Sequence, residues 1–329
     1  MWQTAAVLDL DRLKRLKLHR RPLGQRLVAE LVLRADYRFP KKTEIVLEGL
    51  GNIPRDRGVY FAMNHTDRYN YWPFQYQMYR EGLRFTATWV KGKYYENKLM
   101  AAFLDANNNI PLPSRGYVLT TGFRADAGRV PTESEYRVLR ALTEDRDASG
   151  VGNEPALRKF LDKHGGPDAW ADRFEATFEA MMNEVVRLTR SALTDLDLNI
   201  LVFPQGTRSK RLSKGHNGLM QMAQNTGHAI VPVGCNGSDR AYPGGSPFSK
   251  GGRIVYRIGR PLELDGPELG AHRVREPYIP FSRGAAAFED RFTAATRVVM
   301  DHIDLLLDPE YRYSEDQSSD GVEGGRRFL

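Results

Sequence analysis

The chain has 329 residues, 41% hydrophobic and 27% charged, with a formal net charge of +7 and one cysteine. Those proportions describe a globular fold with a real core, and the length suits one large domain with an appended helical piece. No apolar run approaches the ~18 residues of a membrane-spanning helix. A single cysteine excludes an intramolecular disulfide framework and fits a reducing compartment. The N-terminus lacks a signal-peptide pattern, so the chain is expected to be cytoplasmic, and its positive charge points to anionic partners.

Arg12, Lys14, Arg15, Lys17, Arg20 and Arg21 crowd one segment, interleaved with Leu10, Leu13, Leu16 and Leu18. Pro22 ends that basic amphipathic helix, and Leu23, Leu27 and Leu31 suggest a second. Such a stretch reads either as an anchor to an anionic membrane surface or as a solvated helix packed over the domain. Residues 45–47 and 59–63 read as strands around an N-I-P-R-D-R-G turn, followed by a helix near 74–80 with Pro73 in its first turn. LRFTATWVKG reads as a strand, NKLMAAFLDANN as a helix and NIPLP as a strand. Residues 143–168, rich in charge, Gly and Pro, read as an insertion or mobile loop.

Trp170, Phe174, Phe178, Met181, Val185 and Leu188 recur at helical spacing, the signature of core packing. LNILVFP, HAIVPVG and GRIVYRIGRPLEL read as three further strands. Phe288 to Leu306 mark a C-terminal helix, and the segment after Pro309 has the composition of disorder. Strands alternating with helices imply an α/β fold with a mostly parallel central sheet flanked by helices. The expected divisions are basic helices in 1–42, an α/β domain in 43–308 and a disordered tail in 309–329.

In such folds ligands bind at loops following the carboxyl ends of strands. One loop holds Asn64-His65, where a histidine can serve as general base. Another is F-P-Q-G-T-R-S, residues 203–209. There Gly206 lets backbone approach a ligand, Thr207 can hydrogen-bond an anion, and Arg208 offers a fork for phosphate oxygens. A third is P-L-P-S-R-G, ending at Arg115 and Gly116.

Together these pieces resemble the glycerolipid acyltransferases, the glycerol-3-phosphate and lysophosphatidate acyltransferases, over roughly residues 45 to 265. N-H-T-D-R-Y-N is similar to the family's N-H-x-x-x-x-D block, with Asn70 at the aspartate position. W-V-K-G-K-Y-Y, containing Lys91, and NNIPLPSRG resemble the second block. F-P-Q-G-T-R-S resembles F-P-E-G-T-R-S, with Gln205 for the glutamate. Lys214, Gly215, Ala223, Gly227 and Pro232 match the fourth stretch. The resemblance implies acyl transfer from acyl-CoA or acyl-carrier protein, as co-substrate, to a hydroxyl of a glycerol-phosphate-type lipid, at the inner face of the membrane. It implies no metal, no other cofactor and no acyl-enzyme. His65 is then the base with Asn70 as its partner. Arg115 and Arg208 are then phosphate ligands, and Lys91, Gln205, Gly206 and Thr207 belong to the substrate site.

Both departures replace a carboxylate by its isosteric amide, which accepts a hydrogen bond without supplying charge. Asp67, two residues after His65, offers a second partner if the loop is non-helical. The alternative to an enzyme is a degenerate homologue that binds lipid or acyl carrier without turnover. Nucleic-acid binding rests on charge alone, with no accompanying signature. G-x-S-x-G, P-loop and dinucleotide patterns are absent. His216 and His228 read as surface or packing residues, and Cys235 as a small core residue.

Overall fold

The computed structural model describes residues 8–144 and 146–318. Its strands are β1 (Thr43–Glu48), β2 (Tyr60–Met63), β3 (Thr86–Lys91), β4 (Asn109–Leu112), β5 (Asn199–Val202), β6 (Ile230–Asn236) and β7 (Gly252–Ile258). They form one sheet in the order β1-β7-β6-β2-β5-β3-β4. From β6 to β4 every neighbouring pair is parallel. β7 is antiparallel to β6 and parallel to β1. The mostly parallel α/β sheet is therefore the architecture of this chain.

Every residue of β2, β5 and β6 is buried, as expected for strands covered by helices on both faces. The two-residue period divides them between two apolar layers. Tyr60, Ala62, Ile200 and Val202 join the layer that includes Phe178, Val185 and Phe292. Phe61, Met63 and Leu201 join the layer that includes Phe74 and Tyr76. Trp170, Phe174, Phe178, Met181, Val185 and Leu188 form the buried stripe of the helix Pro167–Thr194.

The structure bears on three expectations. The helix Leu10–Arg15 buries Leu13, and Leu16 beyond it is buried too, so its apolar stripe belongs to the core. The next helical stretch, from Leu23 to Asp36, turns Gln25, Ala29 and Leu33 inward and leaves Leu23 62%, Leu27 48% and Leu31 71% exposed. Second, residues 143–168 are not all loop: they contain the helix Pro155–Lys163. Its Leu157, Phe160 and Leu161 are buried in the main core, so apolar burial overrides the loop-like composition there. Third, the expected tail begins with a packed residue: Tyr311 is fully buried and its hydroxyl donates to Asp239 at 2.6 Å. Residues 319–329 of the expected tail, and residues 1–7 of the N-terminal segment, lie outside the described residues. No helix among the described residues is long and apolar enough to cross a membrane.

Candidate active site

The parallel strands bring the motif-bearing loops to one edge of the sheet. His65 lies two residues beyond β2, between the carboxyl ends of β5 and β6. Asn64 fixes this turn: its Oδ1 accepts from the Cys235 N–H at 2.7 Å and its Nδ2 donates to the Cys235 carbonyl at 3.0 Å. The loop after β5 then holds the main chain of His65 from both sides. The His65 N–H donates to Gln205 Oε1 at 2.9 Å. The Ser209 N–H donates to the His65 carbonyl, also at 2.9 Å.

The imidazole stacks on Phe203 with ring centroids 4.1 Å apart and planes at 18°. Its Nδ1 lies 3.2 Å from Asn70 Oδ1. Asn70 is fully buried at the start of the helix Tyr71–Arg80, and its Nδ2 donates to the Asn64 carbonyl at 2.8 Å. With that nitrogen committed, Oδ1 faces the ring and acts only as an acceptor. The hydrogen bond therefore places the ring proton on Nδ1, and Nε2 carries the lone pair. Burial pushes the His65 pKa down to about 3. The hydrogen bond to Asn70 opposes that shift, and Arg208 and Lys91 reinforce it. At neutral pH the ring is an uncharged base.

Asp67 does not serve the ring. Its carboxylate accepts from the Tyr69 N–H at 2.8 Å and from Thr66 Oγ1 at 3.0 Å. Burial raises its pKa, against a hydrogen bond from Ser238. The carboxylate closing its own turn is thus an Asx-type device, and the side chain contacting the histidine is Asn70.

Two exposed cations act on the histidine. Lys91 ends β3, and Arg208 follows Gly206 and Thr207; both act electrostatically on the ring. Lys93 neighbours Arg208 and Arg68, which extends the positive surface. Gly206 has φ +67°, and a Cβ there would come within 2.8 Å of His216 Cδ2, so both conformation and space require glycine. His216 is exposed and lies over this turn, while Cys235 is fully buried in β6.

Two expected ligand contacts are placed elsewhere. Gln205 is 2% exposed. Besides accepting from His65, it donates to Ser213 Oγ at 3.2 Å and the Arg211 carbonyl at 3.4 Å. Its amide is used inside the protein. Arg115 stands at the same sheet edge, but β2 and β4 are three strand spacings apart, about 14 Å. Its guanidinium pairs with Glu175 and reaches the Thr143 carbonyl at 3.3 Å. It also lies 5.3 and 5.0 Å from the ring centroids of Phe174 and Phe178. Arg283 shares Glu175. The structure brings His65, Asn70, Lys91, Gln205, Gly206, Thr207 and Arg208 together and leaves Arg115 in a separate ion-pair cluster. Phe203, Asn64, Arg68 and Lys93 were not read as site residues. Phe203 and Asn64 open two of the motifs, and Arg68 and Lys93 lie inside N-H-T-D-R-Y-N and W-V-K-G-K-Y-Y without having been singled out.

Comparison with known proteins adds a family. The Acyltransferase family model matches residues 158–236. No curated protein sequence matches the chain. Among solved structures, the 1-acyl-sn-glycerophosphate (LPA) acyltransferase PlsC of Thermotoga maritima aligns at 17% identity, over 93% of this chain and 81% of that one, with a TM-score of 0.41. The family match runs through β5, the 203–209 loop, the helix Gly218–Thr226 and β6. The third and fourth motif blocks of this chain thus lie inside the segment that the Acyltransferase family model matches.

Proposed function

We propose that this chain transfers a fatty acyl group from a thioester, acyl-CoA or acyl-carrier protein, to a hydroxyl of a phosphate-bearing glycerolipid. The observation that carries this reading is the pinned imidazole: Nδ1 faces Asn70 Oδ1, Nε2 keeps its lone pair, and Lys91 and Arg208 stand beside it. Nε2 takes the acceptor's hydroxyl proton as the oxygen bonds to the thioester carbonyl carbon. The C–S bond then breaks, and the departing thiolate recovers the proton from His65. Lys91 and Arg208 hold the acceptor's phosphate by charge-assisted hydrogen bonds.

The second helical stretch supports a peripheral position on an anionic membrane. Leu23, Leu27 and Leu31 form an outward ridge, with Leu99, at 84% exposure, and Met100 on the adjoining helix Lys98–Ala106. Exposed Arg20, Arg21, Arg26 and Arg34 flank the ridge in sequence. Apolar residues edged by basic ones suit the interface of an anionic bilayer.

The degenerate-binder reading draws on one observation as well: both carboxylates of the family pattern are amides, and the ring is a weak base. One experiment separates the two. Purified protein is incubated with labelled acyl-CoA or acyl-carrier protein and a panel of lysolipids, alongside His65→Ala. Transfer that disappears in the variant supports the enzyme. Binding without transfer supports the binder, and transfer retained by the variant removes His65 from the mechanism.

A further inference from the structure

The strand that leads to His65, β2, lies between β6 and β5, and the turn after it is held from both flanks. Asn64 bonds to Cys235 in β6, and Gln205, in the loop after β5, accepts from the His65 N–H. The flanking strands are two spacings apart, about 10 Å, and the chain's own C-terminal segment spans them. Beyond the helix Glu289–Asp304, the Asp308 N–H donates to Asn236 Oδ1 at 2.7 Å, at the end of β6. Two consecutive residues then each touch both loops. The Glu310 carboxylate pairs with Lys210 after β5, at 3.2 Å, and with Arg240 after β6, at 3.0 Å. The Tyr311 carbonyl accepts from the Leu212 N–H at 2.8 Å, while its hydroxyl donates to Asp239 at 2.6 Å.

Tyr311 and Leu212 are both fully buried. Leu212 sits between the two groups that take the Gln205 amide, the Arg211 carbonyl and the Ser213 hydroxyl. Direct contacts therefore run from Tyr311 through residues 211–213 and Gln205 to the main chain of His65. The pairing continues further along, where Arg211 donates to the Tyr313 carbonyl at 3.0 Å and the Lys214 N–H to the Gln317 carbonyl at 3.4 Å.

We propose that residues 308–317 form a strap that sets the position of His65 through Gln205, with Tyr311 as its positioning residue. The ion pairs of Glu310 are exposed and contribute little alone. The buried contacts of Tyr311 carry the link, because breaking one leaves a polar group inside the protein without its partner. A seated strap keeps Gln205 on the His65 N–H and fixes the loop that bears Arg208; a released one loosens both. Tyr311 touches neither the imidazole nor a substrate. Its effect on catalysis rests on the reading of His65 as the base, whereas the strap's hold on the loop does not.

The test reads the loop and the chemistry separately, in the full chain. Amide hydrogen exchange is followed by NMR at His65 and Ser209, whose N–H groups bond to Gln205 and to the His65 carbonyl. Tyr311→Phe and Asp239→Ala each remove the bond between hydroxyl and carboxylate. Each is expected to speed both amides about tenfold, the size of one such bond. The double variant should add little to either single one. Asp239→Asn keeps an oxygen acceptor and should exchange like the native chain. In acyl-transfer kinetics, Tyr311→Phe should lower kcat/KM for lysophosphatidate in step with the exchange and leave the KM for acyl-CoA unchanged. Val151→Ala, a change elsewhere in the core, should lower stability and leave both kinetic values unchanged.

Faster exchange confined to 309–317, with His65 and Ser209 unmoved, would make Tyr311 only an anchor of the chain end and overturn the proposal. Loosened amides with an unchanged kcat/KM would overturn it as well. If Tyr311→Phe fails to fold, Asp239→Ala, altered at a half-buried position, still decides the matter. Loosened amides in a protein that transfers acyl groups to no acceptor would sink the enzymatic function and leave the strap's hold on the loop standing.

Discussion

Asn70→Asp restores the carboxylate of the family pattern, and the structure says what that costs. In the native site Asn70 Oδ1 lies 3.2 Å from His65 Nδ1 while Nδ2 donates to the Asn64 carbonyl at 2.8 Å. An aspartate keeps the first contact and turns the second into oxygen against oxygen, at a position with no exposure. Losing that donor leaves a buried carbonyl unsatisfied, at about 1–3 kcal/mol. Against it stands the gain at the ring. The reverse exchange in serine proteases lowers turnover about 10⁴-fold, which bounds the gain from above. Because the Asn70 carbonyl oxygen already orients the ring, the gain expected here is smaller, about tenfold or more in kcat. Urea denaturation should therefore show a stability loss of about 1–3 kcal/mol at pH 7.5, and acyl-transfer kinetics a raised kcat. The His65 ring should also titrate at higher pH. A folded variant with unchanged turnover and an unmoved ring would refute the assignment of Asn70 as the histidine's electrostatic partner.

Stability should also depend on His65 protonation. An unfolded histidine takes up a proton near pH 6.5, while the folded ring holds off until about 3. The folded state's advantage is thus complete above 6.5 and is lost as pH falls through that window, amounting to about 1.4 kcal/mol at pH 5.5. Urea melts at pH 7.5 and 5.5 should show this increment in the native chain and not in His65→Gln; equal slopes would contradict it. Gly206→Ala forces a side chain into φ +67° against His216 and should cost about 1–2 kcal/mol, read from the same melts, with a raised KM for the acceptor. Arg115→Ala should destabilise the fold by roughly 3 kcal/mol, the low end for a broken buried pair, and leave acceptor KM unchanged. Arg208→Ala should do the opposite, and a KM effect at Arg115 without destabilisation would put that residue back in the acceptor site. Leu27→Asp with Leu31→Asp should abolish co-sedimentation with anionic vesicles while leaving the thermal midpoint within a few degrees. Retained sedimentation would count against the leucine ridge.

Strands were the most legible part of the fold, because β2, β5 and β6 are short apolar runs buried along their whole length. The helices Arg115–Ala127 and Glu133–Glu144 were not read from sequence. The first contains Gly116, Gly122 and adjacent threonines, which blur both propensity and period. The second did carry a signal in T-E-S-E. Glu135 N–H donates to Thr132 Oγ1 at 3.2 Å and Thr132 N–H to Glu135 Oε2 at 2.7 Å, a capping box that surrounding charge and Gly disguised. The leucines of 23–31 showed a helix but not which way it faced. Orientation came from contacts no period encodes. Gln25 donates to the Thr86 and Asn107 carbonyls, at 2.7 and 2.8 Å, and a Cβ at Gly24 would lie 2.3 Å from the Ala106 carbonyl. In the site, His65, Asn70 and the 203–209 loop were legible from their motifs. Arg68 and Lys93 sit in the same motif blocks but were not singled out, because sequence gives a cation's position along the chain and not the loop it faces.

The placement of Arg115 and Gln205 shows why a motif letter is not yet a role. Both were read as ligands because the family resemblance implies substrate contacts at those positions, yet each is satisfied within the protein. Arg115 neutralises Glu175, a carboxylate only 10% exposed in its side chain; without a cation that charge would be costly to bury. Gln205 needs an acceptor at one end for His65 and a donor at the other for Ser213 and Arg211. An ionised glutamate has no donor, so the amide suits this loop better than the residue it replaces. That local fit leaves the histidine without negative charge from its own loop.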